Sequence, residues 1–377
     1  MPKNKRNFLT AFCCLLFASY SPAKNSVTAA IRILYGVSSV NISSAKQFKV
    51  FDMKDNRTGN LAGGKYHAVL PSADGLKIGG MNFSNAVKFT GGKEFIKVNG
   101  RSYRGAVAVR AEKKKLSVIN EVEVEDYLFG VLPSEVSPKW DKEALKAQAV
   151  VSRTYVLRNL GRFASDGYDL TACDASQVYG GAGTEKPATT SAVLETEGEV
   201  LTYKKEVASV YFHADAAGHT ENPACVWGSK TPPRYLKGVR EPPMAETPYS
   251  DWEAEVTRDE IIKLLKKNGY SLNTIKRISS RGKTRSGRVE EFVVYTEKGR
   301  IKIASNKFRS ILGTSRLRST KITRIENKRK SVVFHGSGWG HGVGLSQWGA
   351  KCLAEKGWNY RKILMFYFPG TRLEKSK

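Results

Sequence analysis

A chain of 377 residues, 41% of them hydrophobic, can bury one large or two ordinary cores. It carries 62 Lys and Arg against 35 Asp and Glu, a formal net charge of +27. That balance attracts polyanions, whether nucleic acid, anionic lipid headgroups or an acidic cell-surface polymer, and charge alone does not choose among them.

The N-terminus narrows the choice. Met1-Pro-Lys-Asn-Lys-Arg6 precedes a mostly apolar run from Phe8 to Tyr20, then Ser21-Pro22-Ala23. A basic stretch, an apolar stretch and small residues at −3 and −1 before Lys24 predict a signal peptide over 1–23. The apolar run is short for a membrane span, which takes about 20 residues. An uncleaved signal, holding the N-terminus at the membrane, is the alternative. Cys13 and Cys14 raise a lipoprotein reading, but Phe12 is too bulky for the position before a lipidated cysteine. Export, to the periplasm or cell envelope, argues against nucleic acid as a partner. Cleavage would leave Cys173, Cys225 and Cys352. Cys173 and Cys225 form the first candidate disulfide; three unpaired, mostly buried thiols are the other reading. There is no CxxC to support a zinc ribbon.

Residues 24–120 read as β-rich. Ala30-Ile-Arg-Ile-Leu34, Phe48-Lys-Val-Phe51, Phe95-Ile-Lys-Val98 and Ala106-Val-Ala-Val-Arg110 are short runs with β-branched residues, punctuated by glycine pairs. Asn99-Gly100 predicts a hairpin turn. Asp141 to Leu160 is the clearest helix, capped by Asp141, with Ala144, Ala147, Val151, Tyr155 and Arg158 on one stripe. A second helix is expected from Arg258 to Asn268, with Thr257 and Glu260 as a capping box, and a third from Leu345 to Lys356. Residues 190–250 and 275–335 read as strands and loops, and the Lys/Arg-rich stretch 276–330 as a solvated basic face on strands. The expected class is α+β: a β-rich N-terminal part, then a mixed helix/sheet core over 121–377 with a long central helix.

Three constellations invite chemistry. His335-Gly-Ser-Gly-Trp-Gly-His-Gly-Val-Gly-Leu-Ser-Gln-Trp-Gly-Ala350 fails as a dinucleotide fingerprint and as a P-loop, because the required third glycine and the Gly-Lys-Ser/Thr are missing. It is echoed by Tyr211-Phe-His-Ala-Asp-Ala-Ala-Gly-His-Thr220, so His213, His219, His335 and His341 fall in two like segments. Four imidazoles can make a metal site or simply line a polar cleft. Glu135 stands between two prolines and beside Leu132, Val136 and Trp140. Apolar neighbours raise a carboxyl pKa and suit it as a general acid; an ordinary surface glutamate before a helix is the bland reading.

Six segments, in order, resemble the SpoIID/LytB family. They are Val124-Glu-Asp-Tyr-Leu-Phe-Gly-Val-Leu-Pro-Ser-Glu135, Glu143-Ala-Leu-Lys-Ala-Gln-Ala-Val-Val-Ser-Arg-Thr-Tyr155, Ser176-Gln-Val-Tyr-Gly-Gly181, Gly218-His-Thr-Glu221, Tyr235-Leu-Lys-Gly-Val239 and the glycine-rich stretch 335–350. The resemblance implies a lytic transglycosylase of peptidoglycan, cutting between N-acetylmuramic acid and N-acetylglucosamine to leave 1,6-anhydro ends. The family's catalytic glutamate falls on Glu135. Substrate-binding roles fall on Thr220 and Tyr235, and His219, Gln177, His341 and Gln347 are expected to join them. Some members carry a His/Cys zinc site near the Gln-Val-Tyr motif; Thr171-Ala-Cys-Asp-Ala-Ser-Gln-Val-Tyr179 has one cysteine and no histidine, so no metal or cofactor is expected. The expected partners are glycan strands, especially peptide-stripped ones, and a cell-wall amidase. The resemblance offers two function classes, an enzyme or a non-catalytic amidase enhancer, and leaves the basic run 276–330 unexplained.

Overall fold

The structure is a computed structural model and describes residues 26–376, so the expected signal segment lies outside the described residues. Two sheets open the chain, antiparallel throughout except where the edge strand Leu170–Thr171 runs parallel to Thr28–Val37. The larger has seven strands in the order Leu170–Thr171, Thr28–Val37, Lys115–Glu123, Ala106–Glu112, Ala86–Thr90, Phe48–Asp52, Thr58–Leu61. The smaller has six, in the order Arg101–Tyr103, Ile96–Val98, Val40–Ser43, His67–Ser72, Gly75–Ile78, Met81–Phe83. Alternation decides which side chains point inward: along 48–50, Phe48 and Val50 are buried and Lys49 is exposed. Asn99 and Gly100 take φ of 47° and 84° and pair Val98 with Arg101, the turn expected from the sequence.

Eight helices follow among the described residues. They are α1 (Val124–Glu135), α2 (Lys142–Arg158), α3 (Pro187–Glu195), α4 (Pro223–Trp227), α5 (Arg258–Lys267), α6 (Ser305–Leu312), α7 (Gln347–Glu355) and α8 (Tyr360–Tyr367). The class is α+β. The three expected helices correspond to α2, α5 and α7. Asp141 caps α2 by accepting from Glu143 N at 2.8 Å, and Thr257 caps α5 by accepting from Glu260 N at 3.2 Å. The capping box is not reciprocal, because the Glu260 carboxylate pairs with Arg316 at 2.8 Å. α7 begins two residues later than expected: Leu345–Ser346 forms a parallel pair with Phe212–His213, and Ser346 becomes the cap.

α2 is not amphipathic. It is buried on almost every face, Gln148, Arg153 and Thr154 included, because α1, α3, α7 and α8 surround it. A single hydrophobic core runs from Ala29 in the first strand through α1 and α2 to Phe368, so the N-terminal strands and these helices stabilise each other. A second core is separate. It gathers Trp252, Ile261, Phe292, Phe308 and Phe334 among others, from α5, α6 and two three-stranded sheets. This unit, 252–334, holds the basic run on exposed strand faces, with 22 Lys or Arg against 8 Asp or Glu.

The candidate disulfide is corrected. Cys173, Cys225 and Cys352 are all unpaired, the first two exposed and the third buried. Among the described residues no helix is long and apolar enough to cross a membrane.

Candidate active site

Glu135 is the last residue of α1, and α1 is held hard in place. At its first turn Glu125 accepts from Arg153 Nε and Nη2 of α2 at 2.6 and 2.7 Å. Arg153 also donates to the carbonyls of Val193 and Glu199, at 3.1 and 3.2 Å. At mid-helix Gly130 lets the following segment press close: a Cβ there would sit 2.7 Å from the Tyr179 ring and 2.9 Å from Gly181 O. That approach brings Val178 N to 2.6 Å from Glu135 Oε1. Pro133 lies inside the last turn of α1, two residues before its end.

The Glu135 carboxyl is pushed up to about 7, chiefly by burial. Two donors, the Val178 N–H and the Gln347 side chain, pull the other way, and the Asp174 charge adds slightly to the rise. The negative end of the α1 dipole acts in the same direction as burial. Near neutral pH both protonation states are therefore populated, as a group needs that gives and then takes a proton.

Glu135 opens into a cleft of about 1030 Å³. Aromatic side chains contribute to its walls, among them Tyr211, Phe212, Trp227, Tyr249 and Trp339. Trp227 is 45% exposed and packs at a tilt against Tyr211 and His341, with ring centroids 4.7 and 5.2 Å apart. Such flat apolar faces beside a carboxyl suit pyranose rings. Arg309 and Arg162 bring positive charge into the same cleft.

The histidines separate. His213 and His341 meet, their ring centroids 5.6 Å apart, and both line the cleft. His213 Nδ1 donates to Val343 O at 3.1 Å, and His341 Nδ1 accepts from Val343 N at 3.0 Å. Burial first, then nearby arginines, holds His341 at about 3; burial, then His341 and Arg288, lowers His213 as well. Both rings are neutral and neither can serve as an acid near pH 7. His219 turns its Nδ1 to Thr220 O at 2.7 Å, and His335 lies on a strand of the second unit near Glu326 and Glu253. The echo is thus not a structural repeat, and the four imidazoles do not form the tetrad that a metal would need.

Of the residues singled out in the sequence, Glu135, His341 and Gln347 line the cleft. Gln177 is fully buried behind it, accepting from Tyr127 OH at 3.3 Å. Thr220 is buried and accepts from Val239 N at 2.8 Å; Tyr235 is buried and accepts from Ser209 N at 2.9 Å. Their geometry is that of groups that shape the loops around the cleft. Asp174, Trp227, Arg162 and Arg309 line the cleft and were not singled out. No local pattern distinguishes Arg309 among 62 basic residues, or Trp227 among six tryptophans.

Comparison with known proteins supplies the remaining observation. A family model described as stage II sporulation protein (SpoIID) matches residues 112–203, and one described as a domain of unknown function (DUF8618) matches 240–344. The chain is 33% identical to an uncharacterized protein of Brachyspira hyodysenteriae over 73% of each. It is 31% identical to the amidase enhancer of Bacillus subtilis, over 65% of this chain and 40% of that one. With the stage II sporulation protein D of Bacillus subtilis it shares 28% identity over 72% of this chain and 82% of the other. The second match coincides closely with the second hydrophobic core, and the first covers α1 and α2.

Proposed function

The chain belongs to the SpoIID/LytB family, and we propose that within it the protein is an exported lytic transglycosylase of peptide-stripped peptidoglycan, with Glu135 as acid and base. The observation that carries this reading is a single partly buried carboxyl, raised to about 7, that lines a cleft with aromatic walls. Glu135 first gives its proton to the glycosidic oxygen as the bond from C1 breaks. The resulting carboxylate then takes the proton of the C6 hydroxyl of the same muramic acid, whose oxygen closes on C1 to make the 1,6-anhydro ring. Glu135 ends as it began, protonated, and no water is consumed. Hydrolysis by two carboxylates would need a second one to activate water or attack the sugar. Asp174 lines the cleft but is exposed and acts on Glu135 only weakly.

The name of the amidase enhancer relative supports a second reading, in which the cleft binds glycan and an amidase does the cutting. One experiment separates them. Wild type and Glu135→Ala are incubated with peptide-free glycan strands, and the ends are read by mass spectrometry. The expected result is anhydro ends from wild type and a loss of about 10²- to 10⁴-fold in the variant. Equal cleavage by the variant refutes the assignment. Reducing ends in place of anhydro ends indicate hydrolysis assisted by Asp174. No fragments, with stimulation of an added amidase, supports the enhancer reading.

A further inference from the structure

The cleft holds a buried cation that forms no ion pair with a carboxylate among the described residues. Arg309, on α6 of the second unit, is 7% exposed. Its Nε donates to Leu317 O at 2.8 Å, and its Nη2 to Arg318 O and Thr314 O at 2.9 and 3.3 Å. These are backbone carbonyls, which accept hydrogen bonds but carry no net charge. Its Nη1 makes none of these bonds, and the side chain lines the cleft. Asp174 is the one carboxylate that acts on it, and only at a distance. Burial draws the guanidinium down to about 10.

A purely structural Arg309 accounts for the three carbonyls, which neutral donors would serve at less cost. It does not account for a full charge kept out of water without a counter-ion. Glu135 does not supply that counter-ion, since Arg309 is not among the groups that shift it. A ligand carboxylate would. The facing cation, Arg162, donates to Tyr155 OH at 3.3 Å, lies over Phe163 and is exposed, so it contributes field without a desolvated site.

We propose that Arg309 is a specificity-determining residue that binds a free carboxylate carried on a sugar of the strand in the cleft. Resting on the reading above, that group is the lactyl carboxylate which muramic acid exposes once its peptide is removed; an amide at the same atom is neutral and gives Nη1 no charge to meet. The job falls to the second unit, which lies outside the match to the stage II sporulation model and inside the match to the domain of unknown function.

The test is equilibrium binding, which reads out whether or not the strand is cut. Fluorescently labelled peptide-free strands are compared with the same strands after their carboxyl groups are converted to methylamides. Wild type is expected to bind the free-acid strand about ten-fold more tightly, the size of one charge-assisted hydrogen bond. Arg309→Gln is expected to bind both strands alike, at the level wild type shows for the amide. Equal binding of both strands by wild type overturns the proposal. So does an Arg309→Gln protein of unchanged melting temperature that keeps the preference. Should that variant melt early, Arg162→Gln decides: its guanidinium is exposed, and the preference must survive its removal. Loss of the preference in Arg162→Gln would move the subsite to that residue and overturn the assignment. Absence of anhydro ends in the cleavage assay would sink the enzyme reading alone.

Discussion

Glu135→Gln removes a partly desolvated charge while keeping the shape of the side chain, so it should stabilise the protein in a pH-dependent way. The folded state holds the Glu135 proton to about pH 7, against an ordinary value of 4.5. Between those values the folded chain binds more protons than the unfolded one, so wild-type stability falls as pH rises. The stability is complete below 4.5 and is lost as pH passes through about 7. At about 1.36 kcal/mol per pH unit the full shift is worth roughly 3 kcal/mol, a ceiling for a side chain that is not wholly enclosed. The glutamine can still accept from Val178 N, and its amide N–H can donate to the Gln347 oxygen once that amide turns over. Urea unfolding of both proteins at half-unit steps from pH 4 to 9 provides the assay. The two should be equally stable at pH 4, diverge from about pH 5, and differ by a constant 1–3 kcal/mol above pH 8, with the variant the more stable. A difference that does not change with pH, or one favouring wild type at high pH, would refute the assignment of a partly buried, proton-binding carboxyl.

The same titration governs rate: kcat/KM on peptide-free glycan should fall about ten-fold per pH unit above roughly pH 7, as the acid form is lost, and a flat profile to pH 9 would rule Glu135 out as the proton donor. Gly342→Ala should destabilise by about 2–4 kcal/mol in chemical unfolding. Gly342 has a φ of +86°, and an added Cβ would lie 2.6 Å from the Arg288 guanidinium carbon, so a neutral substitution there would show that Arg288 moves freely.

What could be read from the sequence follows from which signals are local. The strands around Val50 and Val109, the Asn99-Gly100 turn and the Asp141 cap are written in adjacent residues and were legible. α1 was not. Tyr127 to Leu132 are all buried, so the helix has no polar face and no 3.6-residue period to find. The α6 and α8 helices were hidden for the opposite reason, being short segments within stretches that read as strand or followed the last expected helix. The raised Glu135 was anticipated in direction, yet the indole credited with it packs edge-on against Trp348, at 5.2 Å between ring centroids. The groups that meet its carboxyl, Val178 N–H and the Gln347 side chain, come from segments far along the chain, which no window connects. Arg309 was out of reach altogether, because its distinction is the absence of an acid in space.

The glycine-rich stretch gains a physical explanation from the joint between the two cores. Arg288, 1% exposed on the hairpin of the second unit, reaches across and donates to His219 O and Ala216 O at 2.8 and 3.0 Å. Buried Glu221 answers from the first body, accepting from Thr284 Oγ1 and Ser286 Oγ at 2.5 and 2.7 Å. Glu221, Glu241 and Asp215 offset part of the desolvation of that guanidinium, which burial still draws below its ordinary value. The arginine fits there because the loop beside it has no Cβ at Gly342, where one would lie 2.6 Å from the guanidinium carbon. The loop bearing His341 is thereby pinned to the unit that carries Arg309. One wall of the cleft holds the proton and the other the uncommitted charge, and the buried joint fixes the distance between them. A hinge at this point would let a strand be gripped by its carboxylate without its glycosidic oxygen reaching Glu135; a buried ionic joint, costly to open, works against that failure.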